Sequence, residues 1–286
     1  MKILTLNTHS LQEENYEEKL DIFLKFILQE QPDLIALQEV NQSTNAVEVG
    51  NAECIGMVSL PEIRISLKID THALRVVRAL RYAGIHCSWA WLPIKRGYDK
   101  YDEGVAILSL KEPITRTDVC TISRADDYMN WRTRKVLGVR VGNRREWFYT
   151  VHMGWWQDAQ EPFIDQWDIL SRHLEPIAFM NRVWLMGDFN SPAEVRGQGY
   201  DLISGDGWKD TFILAEKKDS GCTVSGVIDG WRELLDNPES MPGMRIDHIW
   251  CSKEAPVLKS RVVFNGKHEP VVSDHFGILM ETKGEN

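Results

Sequence analysis

The sequence contains no stretch approaching the ~20 consecutive apolar residues that a membrane-spanning helix requires, so no membrane partner is expected. It has no repeat of fixed period and no low-complexity run, which excludes solenoids and linker-joined modules. Cysteine is sparse and unpatterned. The five residues Cys54, Cys87, Cys120, Cys222 and Cys251 are odd in number and lack CxxC spacing, which argues against a disulfide framework or a zinc site. Basic residues are in deficit, with 33 Lys and Arg against 42 Asp and Glu for a formal net charge of −9. Proteins that grip nucleic acid through many phosphates need a basic face, so this balance argues against a nucleic-acid partner. The first six residues, MKILTL, already read as a strand, so no signal peptide is expected and the cytoplasm is the expected location.

What is present is an ordinary globular composition, 43% hydrophobic and 26% charged over 286 residues, enough for one large α/β domain spanning 1–286. The informative pattern is how its apolar runs end. Val183 to Met186 is closed by Gly187 and followed by Asp188 and Asn190. A short apolar run closed by a turn signal reads as a buried strand, and open α/β sheets place their ligands at that edge. Taken alone, Asp and Asn after a strand are common turn formers. Three other runs end alike: Leu34 to Leu37 meets Gln38 and Glu39, Trp147 to Val151 meets His152, and Val271 to Ser273 meets Asp274 and His275. Acids, amides and imidazoles gathered at several strand ends suit metal-assisted phosphoryl transfer.

The elements between these ends fit a layered fold. Asn15 followed by Glu18 resembles a capping box, and Leu20, Phe23, Leu24, Ile27 and Leu28 recur at helical spacing up to Gln31-Pro32. The resulting strand, helix, parallel strand unit sets the first two strand ends side by side. Residues 40–60 read as a loop, 61–83 as a helix stopped by Gly84, 95–102 as a polar loop, and 104–110 as a strand. A hairpin turns at Gly142-Asn143, and Pro162 opens a helix carrying Phe163, Trp167, Leu170 and Leu174. Helices mixed with parallel and hairpin strands indicate layers in one unit.

Individual side chains then acquire candidate roles. Glu39 suits a hard divalent cation such as Mg²⁺, although a lone Glu opening a loop is more often a surface residue. Asn7, beside it, could support the metal or bond a phosphoryl oxygen. Asp188 and Asn190, two apart, face one side if the chain is extended; Asp188 would orient and deprotonate water and Asn190 would donate to a phosphoryl oxygen. Asp247 in RIDHIW would be costly to bury unpaired, and His275 is the expected partner, held ready to meet charge on phosphorus or protonate a leaving group. His248 should point to the other face. His152 would be a second imidazole donor, and Arg132 and Arg134 could clamp a phosphate, against the commoner outcome of exposed arginines on a hairpin. Trp155 and Trp156, among eleven tryptophans, offer aromatic faces suited to sugar rings or bases.

Taken together, Asn7, Gln38-Glu39, His152, GDFN at 187–190, Asp247 and SDH at 273–275 resemble the endonuclease/exonuclease/phosphatase superfamily, which includes DNase I-like nucleases, sphingomyelinases and phosphatases. The resemblance implies a four-layer α/β/β/α sandwich of DNase I-like type, a site at one end of two packed sheets, and Mg²⁺ or Mn²⁺ as cofactor. It also implies that Glu39 ligates the metal with Asn7 and Asp274 nearby. His9 departs from the pattern, since some nucleases of the family carry an acid there. The runs LTLNTHS, VHMGWW and RIDHIW look more narrowly like the maltose 6′-phosphate phosphatases. The expected activity is therefore metal-dependent hydrolysis of a sugar phosphate, a small-molecule partner. Hydrolysis of a phosphodiester and a silent binding module are the alternatives.

Overall fold

The computed structural model describes residues 1–61, 63–226 and 243–283. Its elements run β1 (Lys2–Asn7), α1 (Tyr16–Glu30), β2 (Leu34–Ser43), α2 (His72–Tyr82), β3 (Ser88–Gly97), β4 (Tyr101–Ser109), β5 (Ile114–Thr121), β6 (Lys135–Val141) and β7 (Glu146–His152). They continue α3 (Phe163–Met180), β8 (Arg182–Asp188), α4 (Gly199–Gly205), β9 (Lys209–Asp210), α5 (Thr211–Leu214), β10 (Lys217–Lys218), β11 (Asp247–Cys251), β12 (Val257–Val263) and β13 (Gly277–Thr282). Among the described residues the strands form two sheets, ordered β10-β12-β13-β1-β2-β4-β3 and β5-β6-β7-β8-β11-β9.

Alternation along the strands divides the apolar residues into three cores. Ile3, Ala36, Ile107, Phe148, Met186 and Ile249 pack between the sheets. Leu4, Ile35 and Leu37 turn outward against Phe23, Ile27, Leu74 and Leu80 of α1 and α2. Tyr149, Val183 and Leu185 meet Phe163, Trp167 and Leu170 of α3 on the far side. The result is the four-layer α/β/β/α sandwich. No described helix is long and apolar enough to cross a membrane.

Strand direction decides where the polar strand ends collect. β1 and β2 are parallel, with Asn7 opposite Gln38, and β7 and β8 are parallel, with His152 opposite Asp188. β11 runs antiparallel to β8 and pairs Asp247 with Asp188, so the start of β11 reaches the edge where β8 ends. β13 is likewise antiparallel to β1, which brings the loop before it to the same edge. Residues 271–275 are thus that loop and not a strand, as their apolar start suggests.

Gln38 fastens the two sheets beneath this edge. Its Nε2 donates to Thr150 Oγ1 on β7 at 2.8 Å and to Thr5 Oγ1 on β1 at 3.2 Å. Gly187 permits the contact. A Cβ there would fall 2.1 Å from the Val151 carbonyl oxygen and 2.7 Å from Gln38 Nε2, at a φ of +141° that only glycine adopts readily.

Four local expectations differ from the structure, the first being the loop over 40–60, whose opening residues continue β2 to Ser43 against β4. Asn15 adopts a left-handed conformation (φ 55°) with no side-chain cap among the described residues, because a capping box needs an extended N-cap. The helix expected over 61–83 begins only at His72. The buried amide of Gln42 captures the preceding segment instead, donating to Ser66 O and accepting from Lys68 N and Thr71 Oγ1. The polar stretch 95–102 is mostly strand, with β3 and β4 pairing up to Gly97 opposite Tyr101.

His72, at the start of α2, yields a pH test. Burial and the neighbouring Arg75 charge lower its pKa to about 3, and Nδ1 bonds Tyr16 Oη at 2.8 Å. The ring is neutral in the fold and titrates near 6.5 when unfolded, so its contribution is complete above 6.5 and declines as pH falls toward 3. Between pH 7 and pH 5 wild type should lose about 2 kcal/mol more unfolding free energy than His72→Gln, measured by urea denaturation. Identical pH dependence in the two proteins would show that the ring is not buried neutral.

Candidate active site

Asp188 occupies the centre of the shared edge. Its carboxylate is 1% exposed and accepts from Asn7 Nδ2 at 3.1 Å and from the Asn190 amide N at 2.8 Å. His152 Nε2 lies 3.6 Å and His275 Nε2 3.8 Å from Asp188 Oδ2. Burial, with Asp247 nearby, pushes Asp188 up to about 7 against the opposing charge of His275. A carboxyl poised there suits proton transfer near neutral pH.

His275 owes its state to Asp247. Burial alone would strip its proton, but Asp247 Oδ2 at 2.9 Å from Nδ1, together with Asp188, holds its pKa well above 6.5. Asp247 is fixed in turn by Thr223 Oγ1, which accepts from its backbone N at 3.1 Å. The other imidazole is the reverse case. Burial and the charges of Arg134, Lys95 and His275 hold His152 well below 6.5, so it stands neutral beside its neighbour. Two rings in opposite protonation states give the site one charged donor and one neutral ring. His248 points away, bonding Arg245 through Nδ1 and the Ser191 carbonyl through Nε2, as expected of a structural residue.

Glu39 sits inside β2 and not at its end. The strand shifts register against β4 between Leu37 and Val40 and then continues to Ser43, where a loop was expected from residue 40. The left-handed conformation of Glu39 (φ 50°) at this irregularity turns its side chain to the cleft. Asn7 Nδ2 donates to Glu39 Oε1 at 2.9 Å, and His152 Nε2 lies 3.9 Å from the same atom. Burial and repulsion from Glu103 raise the Glu39 carboxyl above its ordinary value. Asn7 therefore bridges Glu39 and Asp188, while its Oδ1 accepts from His9 N at 3.2 Å. Asp274 groups with His9 and Glu13, whose ligating atoms lie within 4.8 Å of one another. His9 Nδ1 meets Glu13 Oε1 at 2.8 Å, and that bond with the nearby carboxylates lifts the imidazole to about 9 in spite of burial.

The remaining sequence candidates divide. Arg134 is buried on the cleft lining, with Nη1 donating to the Trp131 carbonyl at 2.8 Å, and Arg132 lines the cleft with Nε donating to Asp158 at 2.8 Å. Trp155 lines the cleft, whereas Trp156 packs its ring on Phe163 at 5.6 Å and is not among the lining residues. Asn190 Nδ2 donates to Met153 O at 2.9 Å, which sets its amide at the cleft wall.

Sequence reasoning passed over Lys95 and Glu103, a buried pair 3.1 Å apart on the β3–β4 hairpin, and the rim residues Tyr98 and Trp131. The same signal that exposed Asp247, charge set inside an apolar strand, was available for Lys95 and Glu103. The cleft holds about 650 Å³.

A model of the Endonuclease/Exonuclease/phosphatase family matches residues 4–275, a span that includes Asn7 and His275. The chain belongs to the endonuclease/exonuclease/phosphatase family. Members of this family are hydrolases, phosphatases among them, and typically depend on a divalent metal. A solved endonuclease/exonuclease/phosphatase family protein from Leptotrichia buccalis superposes with a TM-score of 0.81 at 31% identity, over 99% of this chain and 100% of that one. A mannosyl-6-phosphatase from Bacteroides thetaiotaomicron shares the fold with a TM-score of 0.66 at 15% identity, over 99% and 100%. So does a 3′ phosphatase from Neisseria solved with product DNA hairpin, at 0.60 and 19% over 99% and 100%. No curated protein matches the chain.

The Asp247–His275 pair can be tested without substrate. In Asp247→Asn the His275 ring should titrate at lower pH than in wild type, followed by imidazole NMR, because the largest charge holding its proton is gone. An unshifted titration would remove Asp247 as the cause.

Proposed function

We propose that this family member is a cytoplasmic, divalent-metal-dependent phosphomonoesterase of phosphorylated sugars, with maltose 6′-phosphate as the leading substrate. The observation that carries the reading is the convergence on Asp188. Asn7, His152, His275 and Asn190 reach one buried carboxylate from four separate strand ends or loops. The fold shared with a mannosyl-6-phosphatase supports a sugar phosphate, as does the acidic balance of the chain, which disfavours a polyanion.

The donor set fits a hard cation. Glu39 and Asp188 are two inward carboxylates bridged by a neutral amide, and burial has raised both, so a divalent ion would relieve an uncompensated charge. Glu39 would be the main ligand, with Asn7 and Asp274 beside it. As placed here, Asn7 turns its nitrogen to the carboxylates, and ligation would need the amide flipped. When bound, the ion supplies positive charge against the phosphoryl oxygens.

The chain's own groups do the rest. Asp188 orients a water in line with phosphorus and takes its proton. Protonated His275 faces the oxygens on which charge accumulates, or returns a proton to the leaving alkoxide. His152, Asn190 and Arg134 bind the other phosphoryl oxygens, with Arg132 further out and Trp155 against the sugar. This is catalysis chiefly by fixed dipoles and charges in a dry cleft. No covalent intermediate is needed.

Phosphate release from maltose 6′-phosphate and hydrolysis of a bis-ester, each with Mg²⁺, Mn²⁺ or EDTA, should show monoester turnover that EDTA abolishes. Asp188→Asn should lower kcat by roughly 10³-fold or more with the melting temperature kept or raised. Faster cleavage of the diester, or an active Asp188→Asn, would contradict the proposal. Calorimetry with Mn²⁺ should show binding weakened about tenfold or more in Glu39→Gln; unchanged affinity would remove Glu39 as a ligand.

A further inference from the structure

The cleft floor and its mouth differ in character. Asp188, Asn190, His152 and His275 are each under a tenth exposed, whereas Trp131 on the same lining is 56% exposed. A single exposed tryptophan is unremarkable on a protein surface. Trp131 is different because both its backbone and its ring are held. Its carbonyl accepts from Lys95 Nζ at 2.9 Å and Arg134 Nη1 at 2.8 Å, two cations that are themselves buried. Its ring lies under the Arg132 guanidinium, 4.1 Å from the centroid, and Arg132 is anchored on Asp158 at 2.8 Å. Charge-assisted bonds to a main-chain oxygen are strong, and they tie the rim to the same cations that border the catalytic floor.

A rigid aromatic side chain already fixed in place collects ligand contact at little entropic cost. The cleft volume of about 650 Å³ is far more than a phosphoryl group fills and lies within the ~300–1,000 Å³ of small-ligand sites. With the phosphate at the buried floor, the rest of the substrate must extend toward the mouth, where Trp131 stands.

We infer that Trp131 is the platform for the sugar ring beyond the phosphorylated one, so that the favoured substrates are phosphosaccharides of two or more rings. The inference rests on the sugar-phosphatase reading above. With one face of the indole under Arg132, the opposite face is the one that offers negative quadrupole density to the polarised C–H face of a pyranose, and Asp158 on the same lining is available to hydroxyls. A nucleobase could use the same face. However, Glu161 on the lining, whose carboxylate accepts from the backbone N–H groups of Arg124 and Ala125, opposes the phosphates of a nucleic-acid strand, while Asp158 and Glu103 offset the charge of Arg132 and Lys95 that would attract them.

The test compares wild type, Trp131→Ala and Trp131→Phe on three compounds: a disaccharide 6′-phosphate, a hexose 6-phosphate and a 3′-phosphorylated oligonucleotide. Circular dichroism and melting temperature check the fold of both variants. Trp131→Ala should lower kcat/KM for the disaccharide about tenfold, mainly through KM, and by several-fold less for the hexose, and Trp131→Phe should recover most of the loss. An equal loss on both sugars, or none, overturns the platform and leaves the phosphatase reading standing. A wild type that releases phosphate from neither sugar overturns both, whether or not it acts on the oligonucleotide.

Discussion

A carboxylate removed from water needs partners, and Asp188 at the end of β8 is the constraint to which this structure answers. Burial raises its pKa to about 7, and one neutral amide, one backbone N–H and two imidazoles are arranged around it. An unpaired buried charge costs several kcal/mol, so the groups that surround it cannot be placed loosely. The sandwich delivers them through strand direction. β1, β7 and β8 bring their carboxyl ends to one edge and β2 its irregular segment at Glu39, and β11 and the loop before β13 reach that edge from the opposite direction because those strands are antiparallel to β8 and β1.

Holding two sheets in register at that edge is the task of the polar layer beneath it. Gln38 crosses from one sheet to Thr150 of the other, and Thr150 Oγ1 returns a bond to the Leu37 carbonyl at 3.2 Å. The missing side chain of Gly187 leaves room for this crossing. Hydrogen-bonded buried polar groups favour one arrangement where an apolar layer would tolerate several, and here the Gln38 nitrogen supplies the bonds while its buried Oε1 has no partner among the described residues. The precision of the site is thus set one residue below it, in Thr5, Gln38, Thr150 and Gly187, none of which faces the cleft.

Much of this was legible in the sequence because the site is built where apolar runs stop against Glu39, His152 or Asp188. His152 and Asp188 end their strands, whereas β2 runs on past Glu39 to Ser43 through a register shift that the run of polar residues concealed. The pairing of Asp247 with His275 was equally readable, since a carboxylate in an apolar strand demands a partner and the order of elements supplied one. Other parts were not legible, for physical reasons. The hairpin of β3 and β4 extends through a charged segment because Lys95 and Glu103 neutralise each other 3.1 Å apart, a long-range fact that local polarity conceals. The shortened α2 reflects one buried amide, Gln42, whose hydrogen bonds outweigh the helical periodicity of 61–71. Neither the opposite protonation of His152 and His275 nor the grip on the Trp131 carbonyl could be read without knowing which cations approach.

The most direct measurement of the phosphoryl-transfer centre is a crystal structure of the chain soaked with Mn²⁺ and orthovanadate. Anomalous density for manganese at Glu39, with the vanadate within hydrogen-bonding reach of His152, Asn190 and His275 and an apical oxygen facing Asp188, is the expected result. Manganese bound away from Glu39, or vanadate lodged outside this cleft, would contradict it.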